Sequence, residues 1–340
     1  MKIWILIISL LFLKCNTDIK KDFKLSVLKN DKKYIPSDTL KLMLVNKKNH
    51  LIDSVVYHLG GQKITNTQSL KNKPLGIYDL IASVYVSGKK SEYKEKITIL
   101  SHSIPKLYTY SILNEYPHDK TSYTQGLEFY RDTLYESTGL RGKSSLRKVN
   151  FKTGETYQMV ALDQVYFGEG ISVLNDKLFQ LTWQGDMGFQ YNPNQLIMER
   201  SFAYQKSKEG WGLCNDGQKL YKSDGSHKIW ILDPHTQKET GNIQVMTDKN
   251  AINKINELEW VDGKIYANTY QFKKNVGIII NPKSGAVDGV IDFTGLKSKV
   301  EQVSNLDVLN GIAYHPKRKT FFITGKYWSK LFEVKIEPKQ

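Results

Sequence analysis

EGISVLNDKLFQLTW, residues 169–183, opens on a glutamate between glycines in the longer run YFGEGI, and its plan returns elsewhere in the chain. A small residue is followed by an apolar strand, a turn, and a second strand that ends in a polar or aromatic group. The same plan occurs in QGLEFYRDTLYESTG (125–139), WGLCNDGQKLYKSDG (211–225), NELEWVDGKIYANTY (256–270) and NGIAYHPKRKTFFITGK (310–326). The second residues of the five segments, Gly126, Gly170, Gly212, Glu257 and Gly311, lie 44, 42, 45 and 54 residues apart. That spacing is the length of a four-stranded propeller blade. Five units fill residues 106–340, which predicts an all-β fold with a five-bladed β-propeller.

The register decides how Glu169 is read. Out of context, a glutamate between glycines is a solvated turn carboxylate. In a propeller, equivalent positions form rings around the axis, and the first ring holds Gln125, Glu169, Trp211, Asn256 and Asn310. The ends of the next strands give a second ring of Thr138, Trp183, Asp224, Tyr270 and Lys326. Together the rings would surround one cavity with a carboxylate, an ammonium, amides and aromatic faces. The glycines are expected to bring backbone close to whatever binds there.

Residues 22–104 follow a different pattern, with short alternating strands such as FKLSVL, TLKLMLV and YDLIASVYVSG separated by polar turns. They predict a small immunoglobulin-like β-sandwich ahead of the propeller, with a boundary at Pro105. The chain begins MKIWILIISLLFLKC, a basic start and an apolar run too short to span a bilayer comfortably. Residues 1–15 therefore predict an export signal. Its end at Cys15 resembles a bacterial lipoprotein signal, although Lys14 stands where that signal has a small residue; ordinary secretion and an uncleaved anchor are the alternatives. A lipidated Cys15 would hold the protein at the cell envelope. Only Cys15 and Cys214 are present, so loss or lipidation of Cys15 leaves no internal disulfide, and Cys214 is expected to be buried. The net charge of +15 comes from 49 basic against 34 acidic residues, and the lysines are scattered in pairs across turns instead of forming one stripe, which argues for a solvated or membrane-facing surface and against nucleic-acid binding.

YTQGLEF, YFGEGI, QLTW, GWGLCNDG, INELEWVDGKIYAN, LNGIAY and FFITGKYW resemble, in order and spacing, the plant-type glutaminyl cyclases, or glutaminyl-peptide cyclotransferases. The resemblance covers residues 106–340. It implies an enzyme that converts the N-terminal glutamine of a peptide or protein to pyroglutamate with release of ammonia, without a catalytic metal or other required cofactor. A structural ion in the channel stays compatible with it. Carried over position by position, Glu169 matches the family's essential acidic residue and is expected to shuttle the proton, and Lys326, a polar pocket position, is expected to act in catalysis either by stabilising the developing oxyanion or by holding Glu169 ionised. Gln125 and Asn256 match polar pocket residues, and Tyr123, Phe167, Trp183 and Trp211 match the aromatic wall. Tyr270 departs from the tryptophan of plant members, and stacking should survive the change. Two other classes use similar rings: calcium-dependent propeller hydrolases, for which Glu169, Asn256, Asn310 and Asp224 would be ligands, and non-catalytic peptide- or glycan-binding propellers. Mass spectrometry of the mature N-terminus tests the signal. A diacylglyceryl-modified Cys15 is expected, and an unmodified residue downstream of it would refute lipidation.

Overall fold

The structure, a computed structural model of the chain, describes residues 19–339, so Cys15 and the export signal lie outside the described residues. Two compact units are present, one made of residues up to 32 with 38–70 and 78–97, the other of 33–37, 71–77 and 98 onward. The N-terminal strands form two sheets. One has three strands, Phe23–Val27, Thr39–Asn46 and Thr67–Ser69, and the other five, including Ser54–Leu59, Gly76–Val86 and Lys89–Ile99. Alternation of apolar and polar residues buries Leu40, Leu59, Leu80 and Ile97 completely.

The larger unit is a ring of five four-stranded antiparallel blades. The first strands are Thr124–Tyr130, Gly168–Leu174, Leu213–Asn215, Ile255–Val261 and Leu309–His315, each at the inner edge of its blade. In three blades the inner hairpin turns on two residues with positive φ: Arg131-Asp132, Asn175-Asp176 and Asp262-Gly263. Such turns carry the right-handed twist between strands, which is why Asn, Asp and Gly recur there. Adjacent blades share an apolar cluster at every one of the five interfaces. Between blades three and four, for example, Cys214 and Ile229 pack with Leu258, Ile265 and Ile278. Cys214 is a free, buried thiol.

The ring is closed by the strand Lys106–Pro117, which precedes all other blade strands in the sequence yet forms the outer strand of blade five. It pairs antiparallel with Lys330–Pro338 and runs parallel to the outer strand of blade four through Gly289–Ile291. Glu333 pins the closure. Its carboxylate, 1% exposed, accepts hydrogen bonds from Arg318 Nε at 2.7 Å, Thr320 Oγ1 at 2.7 Å, Asn114 Nδ2 at 2.8 Å and Tyr116 Oη at 2.9 Å. Burial pushes its pKa upward, but these donors outweigh that and hold it at about 2.

A depressed carboxyl pKa stabilises the fold above the group's ordinary value and loses that contribution as pH falls through about 2. Glu333→Gln is therefore expected to cost on the order of 2 kcal/mol at neutral pH and to flatten the acid limb of the stability profile. Urea denaturation at neutral and acid pH checks both.

Candidate active site

Bulges put the inner ring in place. Strand register slips between Thr124 and Gly126, Gly168 and Ile171, Ile255 and Leu258, and Leu309 and Ile312. Gln125, Glu169, Asn256 and Asn310 sit at those slips. A bulge leaves a residue out of the ladder and re-aims its side chain, so four blades turn polar groups into the axis by one device.

The glycines that follow Gln125, Glu169 and Trp211 serve a purpose different from the one expected. A Cβ on Gly126 would lie 2.7 Å from Ile171 N, one on Gly170 2.6 Å from Leu213 N, and one on Gly212 2.1 Å from Asn256 O. These glycines let the backbones of neighbouring blades touch, and Gly170 N donates to Trp211 O at 2.6 Å. They close the ring; they are not clearance for a ligand.

All five blades contribute to one cavity of about 190 Å3. Tyr123 and Gln125 come from blade one, Phe167, Glu169 and Trp183 from blade two, and Trp211 from blade three. Asn256 and Tyr270 come from blade four, and Lys326 from blade five. Every pocket residue expected from the sequence is brought together here. Two members of the second ring are not: Thr138 bonds Ser145, and Asp224 accepts from Trp230 Nε1 at 2.6 Å outside the cavity. With Asp224 engaged there, the four ligands of a calcium hydrolase do not converge. The volume is below the roughly 300–1,000 Å3 of drug-sized sites and suits a single small side chain.

Aromatic rings make the walls. Phe167 meets Trp183 edge-on at 5.4 Å and Tyr123 at 6.1 Å, while Trp211 meets Tyr270 at 6.0 Å. Glu209, absent from the sequence reading, ties two of them together. Its Oε2 accepts from Trp183 Nε1 at 3.0 Å and from Trp211 Nε1 at 2.9 Å. Lys326, 4% exposed, lies with Nζ 4.5 Å from the Tyr123 ring centroid and 4.9 Å from that of Tyr270. The turn holding it is locked by Trp328, which is fully buried and donates to Asp307 O at 3.1 Å.

Glu169 is 4% exposed. Its Oε1 accepts from Gln125 Nε2 at 3.2 Å, and its Oε2 has no partner in the protein. Burial raises its pKa well above the usual carboxylate range; Lys326 opposes this and Glu209 reinforces it. Lys326 is shifted the other way, downward by burial, with Glu169 and Asp307 opposing. A third effect orients the carboxylate. Asn268 Nδ2 donates to Asn310 Oδ1, Asn310 Nδ2 to Gln125 Oε1, both at 2.9 Å, and Gln125 then donates to Glu169. Backbone carbonyls of Leu309 and Thr124 fix the two asparagine amides. The Gln125 amide is thereby engaged at both ends, whereas Asn256 Oδ1 is buried and unpartnered.

Asn268 was missed by sequence reasoning because it lies inside an otherwise strand-like run; its one signal is a buried-strand amide two residues before Tyr270. Among the described residues no cluster of three His, Cys, Asp or Glu side chains is arranged to hold a metal ion.

The family model for glutamine cyclotransferase matches residues 81–336. A glutaminyl-peptide cyclotransferase of Arabidopsis thaliana is 38% identical over 241 residues, covering 70% of this chain and 73% of that protein. The crystal structure of Myxococcus xanthus glutaminyl cyclase aligns with a TM-score of 0.65 at 34% identity, covering 69% of this chain and 100% of that one. Sequence, fold and the five-blade cavity agree, and the chain belongs to the glutamine cyclotransferase family.

Proposed function

We infer that the chain is a glutaminyl-peptide cyclotransferase that acts on peptides with an N-terminal glutamine, with Glu169 as its proton shuttle. The observation that carries the assignment of roles is the free Oε2 of a buried, pKa-raised Glu169 inside a small aromatic cavity.

The substrate's α-nitrogen attacks the Cδ of its own side-chain amide, so the chemistry is intramolecular and the pocket's first task is to hold the folded conformer. Trp183, Trp211, Phe167, Tyr123 and Tyr270 supply flat walls that exclude extended ones. As the N–Cδ bond forms, an α-amine proton passes to Glu169 and the carbonyl oxygen gains negative charge. The Lys326 ammonium, held between rings, stabilises that charge. The protonated Glu169 then gives its proton to the departing amide nitrogen, the Cδ–N bond breaks, and ammonia leaves as the lactam carbonyl reforms. A carboxyl whose pKa burial raises well above the usual carboxylate range is suited to both transfers. Asn256 Oδ1 accepts an N–H of the substrate, and Gln125 keeps Glu169 aimed. The steps use only side chains of this chain, so chelators are expected to leave the rate unchanged; a loss restored by calcium would favour the hydrolase class. The sequence further supports export and a lipid anchor at Cys15, with peptides and not nucleic acid as partners.

Glu169→Gln is expected to lower turnover by about 100-fold or more while leaving the fold intact. A buried acid with a raised pKa is stabilising in its neutral form and loses that as pH climbs through its ordinary value, so the variant should also melt higher at neutral pH. Near-normal turnover would remove Glu169 from the shuttle role. Lys326→Met removes the charge that holds Glu169's pKa down, so the acid limb of kcat/KM should move to higher pH; an unmoved limb would mean that Glu169 is not the titrating base.

A further inference from the structure

Blade one carries a basic loop beside the cavity, in the segment GLRGKS at 139–144. Gly139 lines a second depression of about 430 Å3, along with Tyr123, Lys143, Arg147 and Tyr327. This groove abuts the cavity. Tyr123 belongs to both, and a Cβ on Gly139 would lie 2.3 Å from the Phe167 ring and 3.1 Å from Gln125 Cγ.

The groove's charges are of one sign. It is lined by Lys120, Lys143 and Arg147 and by no carboxylate. Lys120 is already paired with Glu301 at 2.9 Å and Arg147 with Asp119 at 2.9 Å. Lys143 is exposed and forms no ion pair among the described residues. Arg141, two residues earlier, is exposed as well. Its guanidinium carbon stands 5.7 Å from the Trp183 ring centroid, and its hydrogen bonds go to Val165 O and the Gln184 amide, not to an acid. Two uncompensated cations thus stand on this side of blade one, Lys143 in the lining of the groove and Arg141 beside it, against Trp183 of the cavity wall. A depression of blade three differs, since there Lys206, Lys208 and Lys228 share the lining with Glu209 and Asp224.

We propose that this groove binds the residues that follow the N-terminal glutamine, and that Lys143 and Arg141 select peptides carrying Asp or Glu at those positions. The proposal rests on the cyclotransferase reading. The cavity holds one residue, so the rest of a peptide must leave it across the surface, and a carboxylate meeting Lys143 or Arg141 displaces no existing pair.

The test compares two peptides alike except for two residues after the glutamine, Glu-Glu in one and Lys-Lys in the other. At low ionic strength kcat/KM should favour the acidic peptide by about tenfold, from two exposed charge pairs, and the ratio should shrink toward one in high salt. Lys143→Glu should cut the ratio by about threefold or more, and Arg141→Glu should do likewise. The same pair is titrated against Glu169→Gln by tryptophan fluorescence, so that affinity is read without turnover. A wild-type ratio near one, or a ratio and relative affinity unchanged by both substitutions, would overturn the proposal. Failure to cyclise glutaminamide, which has no downstream residues, would count against the cyclotransferase reading instead, and the titration would still decide the groove.

Discussion

Neighbouring blades meet through bare backbone at Gly126, Gly170 and Gly212, and the rest of the site depends on that contact. Any side chain there would sit within 2.7 Å of backbone atoms of the next blade, so the inner strands could not approach as they do. Their approach narrows the axis until groups from all five blades border one small cavity. Bulges in four of the blades then direct Gln125, Glu169, Asn256 and Asn310 inward. In blades one and two, fold and site are therefore set by adjacent residues: Gly126 and Gly170 close the ring, and their bulged neighbours Gln125 and Glu169 furnish it.

That geometry creates an electrostatic conflict which the chemistry uses. Closing the ring buries Glu169 and Lys326 together, and each loses hydration. Their mutual attraction offsets part of the cost, yet burial remains the larger influence on both, raising the acid and lowering the base. The two groups are thus moved toward the range where protons exchange readily at neutral pH. The amide relay from Asn268 through Asn310 and Gln125 supplies the orientation that Coulomb attraction alone does not.

Much of this was legible in the sequence because a propeller is periodic. Once Gly126, Gly170, Gly212 and Gly311 were aligned with Glu257 as their blade-four counterpart, residues far apart in the chain fell into common rings. The family resemblance extended those rings to Tyr123 and Phe167. What stayed hidden lacks a period. Glu209 lies in the loop before Trp211 and matters through two indole N–H groups that only the folded blades bring to one oxygen. Asn268 and Glu333 act through partners 42 and 219 residues away, at separations unrelated to the repeat. The role of the glycines was misread for a related reason: close backbone approach was apparent from sequence, but whether it was to a ligand or to the next blade was not.

Cyclisation differs from hydrolysis in which bonds change: the side-chain Cδ–N bond breaks as the α-nitrogen bonds to Cδ. A peptide whose N-terminal glutamine carries 15N in the side-chain amide, incubated with the protein, tests it most directly by mass spectrometry of both products. Cyclisation predicts that the peptide loses the mass of one ammonia and that all of the 15N leaves as ammonia. Recovery of an N-terminal glutamate, of released peptide fragments, or of unchanged glutamine would contradict it.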